Sequence, residues 1–173
     1  MEHIASEITA IQKRIGIIRL LIKKLILQLQ QLTGNKSRRV SLYEHARLSL
    51  GRDASPLDIV NDDLGCAESV SNLISKVVNF PIITGTWTLN DRLSNDPRFF
   101  TAYEDSGPGT IIICATATGN GTIRGHVGIL ADNKNIMAAS SYDGLWKQHY
   151  TIDTWKERWE KKGGFTTHYY KII

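Results

Sequence analysis

A chain of 173 residues has room for one domain with a substantial core and a separate appendage. Apolar residues make up 42% and charged residues 22%, which excludes the disordered and collagen-like classes, and two cysteines exclude a disulfide framework. The net charge of +4 is unevenly spread: residues 1–39 hold eight Lys or Arg against two Glu, a charge of +6, which leaves −2 for the rest.

The first segment carries a heptad. Ile4, Ile8, Ile11, Ile15, Ile18, Ile22, Leu25, Leu29 and Leu32 step alternately by 4 and 3, and no charge interrupts the seam. A helix over this stretch would be ~43 Å long, and the 3.5-residue period predicts a coiled coil. The segment is therefore expected to make homo-oligomers through residues 4–32. Ile at both seam positions in the first half favours trimers or tetramers over dimers. Ile17, Leu20, Leu21, Ile26 and Leu27 widen the apolar surface beyond a two-stranded seam. A basic amphipathic helix lying on an anionic surface, or packing within the chain, is the alternative. Lys13, Arg14, Arg19, Lys23 and Lys24 interrupt any membrane-spanning run, and the early acidic residues do not read as a signal peptide. Such a chain is expected to be made in the cytoplasm.

Gly34 follows the last periodic leucine as a helix stop, and residues 35–40 are polar, as in a linker. The chain thus divides into a helix over 1–34, a linker over 35–40 and a domain over 41–173. Ser41 to Glu44 reads as a capping box opening a helix to about Leu50. A second helix is expected from about Gly65 to Val78, with Val70, Leu73, Ile74, Val77 and Val78 as its buried stripe. Thr88 to Asp91 marks a short helical start. Thr110 to Ala117 is a nearly continuous apolar run, so it is expected as a central strand. Gly119-Asn120-Gly121 and Asp132 to Asn135 are turns leading to strands at Arg124 to Leu130 and Ile136 to Ser140. A helix over Thr151 to Lys162 and a strand over Thr166 to Ile172 complete an α+β pattern of helices followed by mostly antiparallel strands.

Two residues stand out chemically. Cys66 lies where a loop breaks into a helix. Unpaired amides and the helix dipole there favour a thiolate, so its pKa is expected to fall. The same amides can hold the oxyanion of an attacked carbonyl, and Gly65 leaves the sulfur open to substrate. His126, in Gly125-His126-Val127-Gly128, is expected on a strand facing that helix, as the base that takes the thiol proton. The ring needs an orienting group. Ser140 is the polar side chain available on the next strand, with Asp143 or a backbone carbonyl as alternatives. Trp146 is read either as core or as a wall of the cleft. Cys114, within an apolar strand, is read as a core residue. The adjacent pair Asp62 and Asp63 is read as helix-start electrostatics or turn formation rather than as a glycosidase pair. HExxH, paired CxxC and GxSxG motifs do not occur, so neither a metal nor another cofactor is expected.

Asp63 to Val70, Gly107 to Ile113, Gly119-Asn120-Gly121, Gly125 to Leu130, Gly144-Leu145-Trp146 and Lys162 to Phe165 together resemble the NlpC/P60 and CHAP group of papain-like peptidoglycan hydrolases, in particular its phage and prophage members. The resemblance spans roughly residues 41–173. It implies a papain-like fold, hydrolysis of amide bonds in peptidoglycan stem peptides by an endopeptidase or amidase of the endolysin kind, Cys66 as nucleophile, His126 as base and no metal. The chain departs from that pattern at Ile136 to Ser141, where alanines stand in place of a polar orienting residue. A catalytically weak binding module of a phage particle, assembled by the first helix, is the corresponding alternative.

Overall fold

The computed structural model describes residues 38–57, 59, 65–104 and 106–173, with positions 15, 18, 21, 22 and 25 of the first segment. The chain divides into two compact units, residues 1–36 and 37–173. In the first unit all five described positions are helical and exposed, and four of them, Ile15, Ile18, Ile22 and Leu25, belong to the heptad seam. The remainder of that seam and the Asp62-Asp63 pair lie outside the described residues. Among the described residues, no helix is long and apolar enough to cross a membrane.

The second unit is built on a six-stranded antiparallel sheet. Its strands are β1 (Phe99–Thr101), β2 (Ile111–Cys114), β3 (His126–Leu130), β4 (Asn135–Ala139), β5 (Trp146–Thr151) and β6 (Thr167–Ile172), in the spatial order β1-β6-β2-β3-β4-β5. Strand alternation divides the core in two. Ile111, Ile113, Val127, Ile129, Met137 and Ala139 pack beneath three helices: α1 (38–48), α2 (Cys66–Ser75) and α3 (Thr86–Asn95). Ile112, Cys114, Leu130, Ile136 and Ala138 face the other way, against Ile152, Trp155, Trp159 and Phe165. Those last residues come from the C-terminal segment, a short helix α4 (Ile152–Trp155) continued by a π-helical stretch, Lys156–Lys162, and its exit. Cover on both faces is why β2 reads as an unbroken apolar run rather than an alternating one.

Several elements differ from the sequence-based expectation. Helix α1 begins before Ser41, so Ser41 is an interior residue rather than a cap, and Glu44 pairs with Arg47 at 2.8 Å. Helix α3 runs ten residues, longer than its short start signal implies, and its Gly85 cap offers no side-chain hydrogen bond. In the expected helix over Thr151 to Lys162, Thr151 ends β5 and caps the helix, Ile152–Trp155 is α and Lys156–Lys162 is π-helical. Trp146 is core, not cleft: it is buried, and its indole N–H donates to the Ala46 carbonyl at 3.0 Å.

At the exit of α3, Asp96 is buried and accepts from the Arg98 Nε at 2.8 Å, while the same guanidinium donates to the Asn79 carbonyl at 2.7 Å. The Arg98 hydrogen bond, opposed by burial, holds the Asp96 carboxyl down at about 2. An ordinary aspartate titrates near ~3.9. The carboxylate therefore stabilises the fold above about pH 4, and that stability is lost as pH falls through about 2. Asp96→Asn is expected to cost ~2 kcal/mol at pH 7. Urea unfolding of both proteins should show the gap closing between pH 4 and pH 2, and a pH-independent gap would contradict the assignment.

Candidate active site

Cys66 is the first residue of α2, and His126 is the first residue of β3. Both line one cavity of about 630 Å³ at the end of the sheet, together with Gly85, Thr86, Thr116, Arg124, Tyr150, Arg158 and Trp159. The two elements pack directly on each other: α2 lies over β3, and the Cys66 sulfur meets the Val127 amide, next in the chain to His126. The amides of Ala67 and of Cys66 itself also reach the sulfur. Three backbone donors thus converge where a thiolate or an oxyanion would sit.

The imidazole leans the other way. His126 shares strand parity with Leu130, so it belongs to the tryptophan face of the sheet, whereas Val127 and Ile129 face α2. Its ring stacks on Trp159, with centroids 5.0 Å apart and planes 10° apart. Trp155 stacks at 5.7 Å, and Tyr150 approaches edge-on at 5.9 Å. Cys66 and His126 therefore flank the end of β3 from opposite faces, and the pair shares the cavity because His126 is a terminal strand residue.

The Ala139 backbone favours the protonated ring, a small effect beside burial. The Nε2 atom is buried without a hydrogen-bond partner, and is the nitrogen left for a proton from the sulfur. Ser140 instead helps hold the Asp143 carboxyl below its usual range, after Lys147, and it is not among the described residues lining the cavity. Gly65 caps α2 in a helical conformation, φ −70° and ψ −4°, and its carbonyl accepts from the Ser69 amide at 2.8 Å. It too stands behind the cavity rather than in its lining. Trp146 lines a separate cavity, with Arg52, Asp53 and Lys76.

Burial dominates the electrostatics of both groups. It pushes the Cys66 thiol up to about 11, overriding the three amides that favour the thiolate. This reverses the expectation of a lowered thiol pKa: a helix N-terminus stabilises the anion, but here desolvation costs it more. Burial also pushes the His126 imidazole down to about 3, assisted by the positive charges of His149 and Arg158. At neutral pH the resting pair is a neutral thiol and a neutral imidazole, not an ion pair. Iodoacetamide alkylation of Cys66 is accordingly expected to accelerate about tenfold per pH unit from pH 7 to pH 10, since the thiolate is the reacting form. Mass spectrometry of each thiol reports this. A rate that levels off below pH 8 would mean an ion pair instead. Cys114 is fully buried, its thiol is likewise raised to about 11 by burial, and it should stay unmodified in the native protein.

The cavity wall contains a polar chain that motif reading did not single out. The Thr86 and Thr116 hydroxyls are 2.8 Å apart, the Thr116 amide donates to Thr86 Oγ1 at 3.1 Å, and the Gly125 amide donates to Thr116 Oγ1 at 3.2 Å. The start of α3 is thereby tied to the residue before His126. Gly125 has no room for a side chain: a Cβ there would lie 2.3 Å from the Cys114 carbonyl oxygen and 2.5 Å from the Thr116 nitrogen. Among the described residues, no cluster of His, Cys, Asp and Glu could hold a metal ion.

No protein-family model matches this chain, and no curated protein matches it. A solved structure does. The chain is similar in fold to Tae3 in the type VI native effector–immunity complex Tae3–Tai3 from Ralstonia pickettii, with a TM-score of 0.50 and 14% sequence identity. The match covers 78% of this chain and 98% of that chain. The α+β architecture, helices packed on an antiparallel sheet, is therefore shared with a type VI effector. The NlpC/P60 and CHAP resemblance rests on the short motifs alone.

Proposed function

We propose that this chain is a papain-like cysteine hydrolase that cleaves amide bonds in bacterial peptidoglycan, with Cys66 as nucleophile and His126 as base. The observation that carries the proposal is that a helix-start thiol and a strand-end imidazole line one cavity while three amides converge on the sulfur. The fold shared with an effector supports it at the level of architecture.

The chemistry follows from the neutral resting pair. When a peptide carbonyl enters the cavity, the imidazole takes the thiol proton as the sulfur attacks the carbonyl carbon. The amides of Cys66, Ala67 and Val127 hold the oxyanion. The imidazolium then gives the proton to the leaving amine, and water, activated by the same imidazole, hydrolyses the thioester. The ring must turn from its tryptophan shelf toward the sulfur for the first step, and the unpartnered Nε2 is the atom that would make that contact. The test is digestion of purified peptidoglycan with mass spectrometry of the released fragments. New amine and carboxyl termini within the stem peptide support the proposal, and an unchanged fragment pattern rejects it.

A wall hydrolase threatens the cell that makes it. Tae3 is recorded with an immunity protein, and a protein inhibitor seated over the cavity is proposed here on the same logic. The exposed Ile and Leu positions of the first segment are proposed to pack against other copies of the chain. Sedimentation of the full chain at the mass of a single copy would remove that part of the reading.

A further inference from the structure

The cavity that Cys66 and His126 line holds two formal charges among its described residues. Among its described lining residues there is no Asp or Glu, and the formally charged side chains are Arg124 and Arg158. A second cavity of about 790 Å³ shares Ile123, Tyr150 and Arg158 with the first, so Arg158 stands where the two meet. The π-helical stretch places it there, with the guanidinium carbon 5.2 Å from the centroid of the Trp159 ring. Trp159 is itself fixed: its indole N–H donates to the Arg124 carbonyl at 3.0 Å, and its ring stacks on His126.

The adjacent carboxylate does not neutralise Arg158. Glu157 is engaged by Lys161 at 3.0 Å and Lys162 at 3.8 Å, and no carboxylate among the described residues pairs with Arg158. A guanidinium lying over an indole is held in place while its N–H donors stay available at the edge. Such a fork matches a carboxylate with two parallel hydrogen bonds.

We propose that Arg158 is a specificity-determining residue that binds a free carboxylate of the substrate, so that the cleft at Arg158 selects an acidic peptide over its uncharged counterpart. The proposal rests on the reading of this cleft as the substrate cleft of a peptidoglycan hydrolase, and it names the chemistry of the peptide that cleft takes.

Two probes test it: a peptidoglycan stem peptide with its carboxyl groups free, and the same peptide with them converted to carboxamides. Binding is measured calorimetrically with full-length Cys66→Ala protein, which leaves the peptide uncut. The free acid is expected to bind about tenfold tighter than the carboxamide. Adding Arg158→Gln should erase that preference, while Arg158→Lys should keep part of it. A preference that survives Arg158→Gln overturns the proposal, as does its absence from the starting protein. Cleavage by the protein with Cys66 intact separates the two readings. Arg158-dependent selectivity without any cleavage removes the hydrolase and keeps the carboxylate site. Cleavage at a ratio that Arg158→Gln does not change removes the site and keeps the hydrolase.

Discussion

Cys66→Ala is expected to abolish release of stem-peptide fragments, a loss of at least about a thousandfold, because Cys66 is the thiol among the described lining residues and a thiol is a far better nucleophile at neutral pH than the hydroxyls beside it. Cys114 cannot substitute: it lies on β2 with its side chain among the residues of the tryptophan face, fully buried. Cys66→Ser should be nearly as inactive. The neutral imidazole, held at about 3, is a poor base for a hydroxyl, which is far less acidic than a thiol. Neither change should cost much stability, since Ala and Ser differ little from Cys in volume. Matching thermal melts with lost activity would assign the effect to chemistry. Retained activity in Cys66→Ala would refute the proposed mechanism.

Trp159→Ala is expected to damage the fold and the site together. The indole is buried, stacks on His126 and packs against Trp155 at 4.3 Å. It also supplies the surface beneath Arg158. Truncating a buried Trp costs about 3–5 kcal/mol, which for a domain of this size lowers the melting temperature by on the order of 10 °C. Trp159→Phe separates the contributions. It keeps an aromatic surface for the imidazole and loses the N–H bond to the Arg124 carbonyl, a cost of ~1 kcal/mol. Fragment release should fall sharply in Trp159→Ala below its melting temperature and persist in Trp159→Phe. Equal melting of Trp159→Ala and the unaltered protein would show that the aromatic wall is not part of the core.

What the sequence reveals about this architecture depends on how local the cause is. Helix α2 is legible because Val70, Leu73 and Ile74 repeat at helical spacing and all three are buried. Strand β2 is legible because three consecutive isoleucines fit a strand covered on both sides. Strand β5 is not: Trp146-Lys147-Gln148-His149-Tyr150-Thr151 lies at the sheet edge, half of it exposed, and its pairing with β4 is a tertiary event. Strand β1 is three residues pairing with the far end of the chain, which no local pattern announces. The π-helical stretch is equally hidden, since an i,i+4 pair such as Trp155 and Trp159 reads as ordinary helix.

The site divides along the same line. Cys66 and His126 stand out by residue type and context. The depth of their burial does not, and it reverses the expected direction of the thiol pKa. For the orienting partner the sequence offers Ser140, with Asp143 or a backbone carbonyl as alternatives, and in the structure it is the Ala139 backbone that favours the protonated ring against its burial. Arg158 carries no signal in sequence either, because its importance comes from standing where two cavities meet.

The polar groups that favour charge on the sulfur and the imidazole against burial belong to the main chain. Contacts of that kind persist through almost any replacement that leaves the local trace in place. Lineages sharing such a centre are free to rewrite the letters around it, so ancestry can outlast every alignable word and survive only as shape.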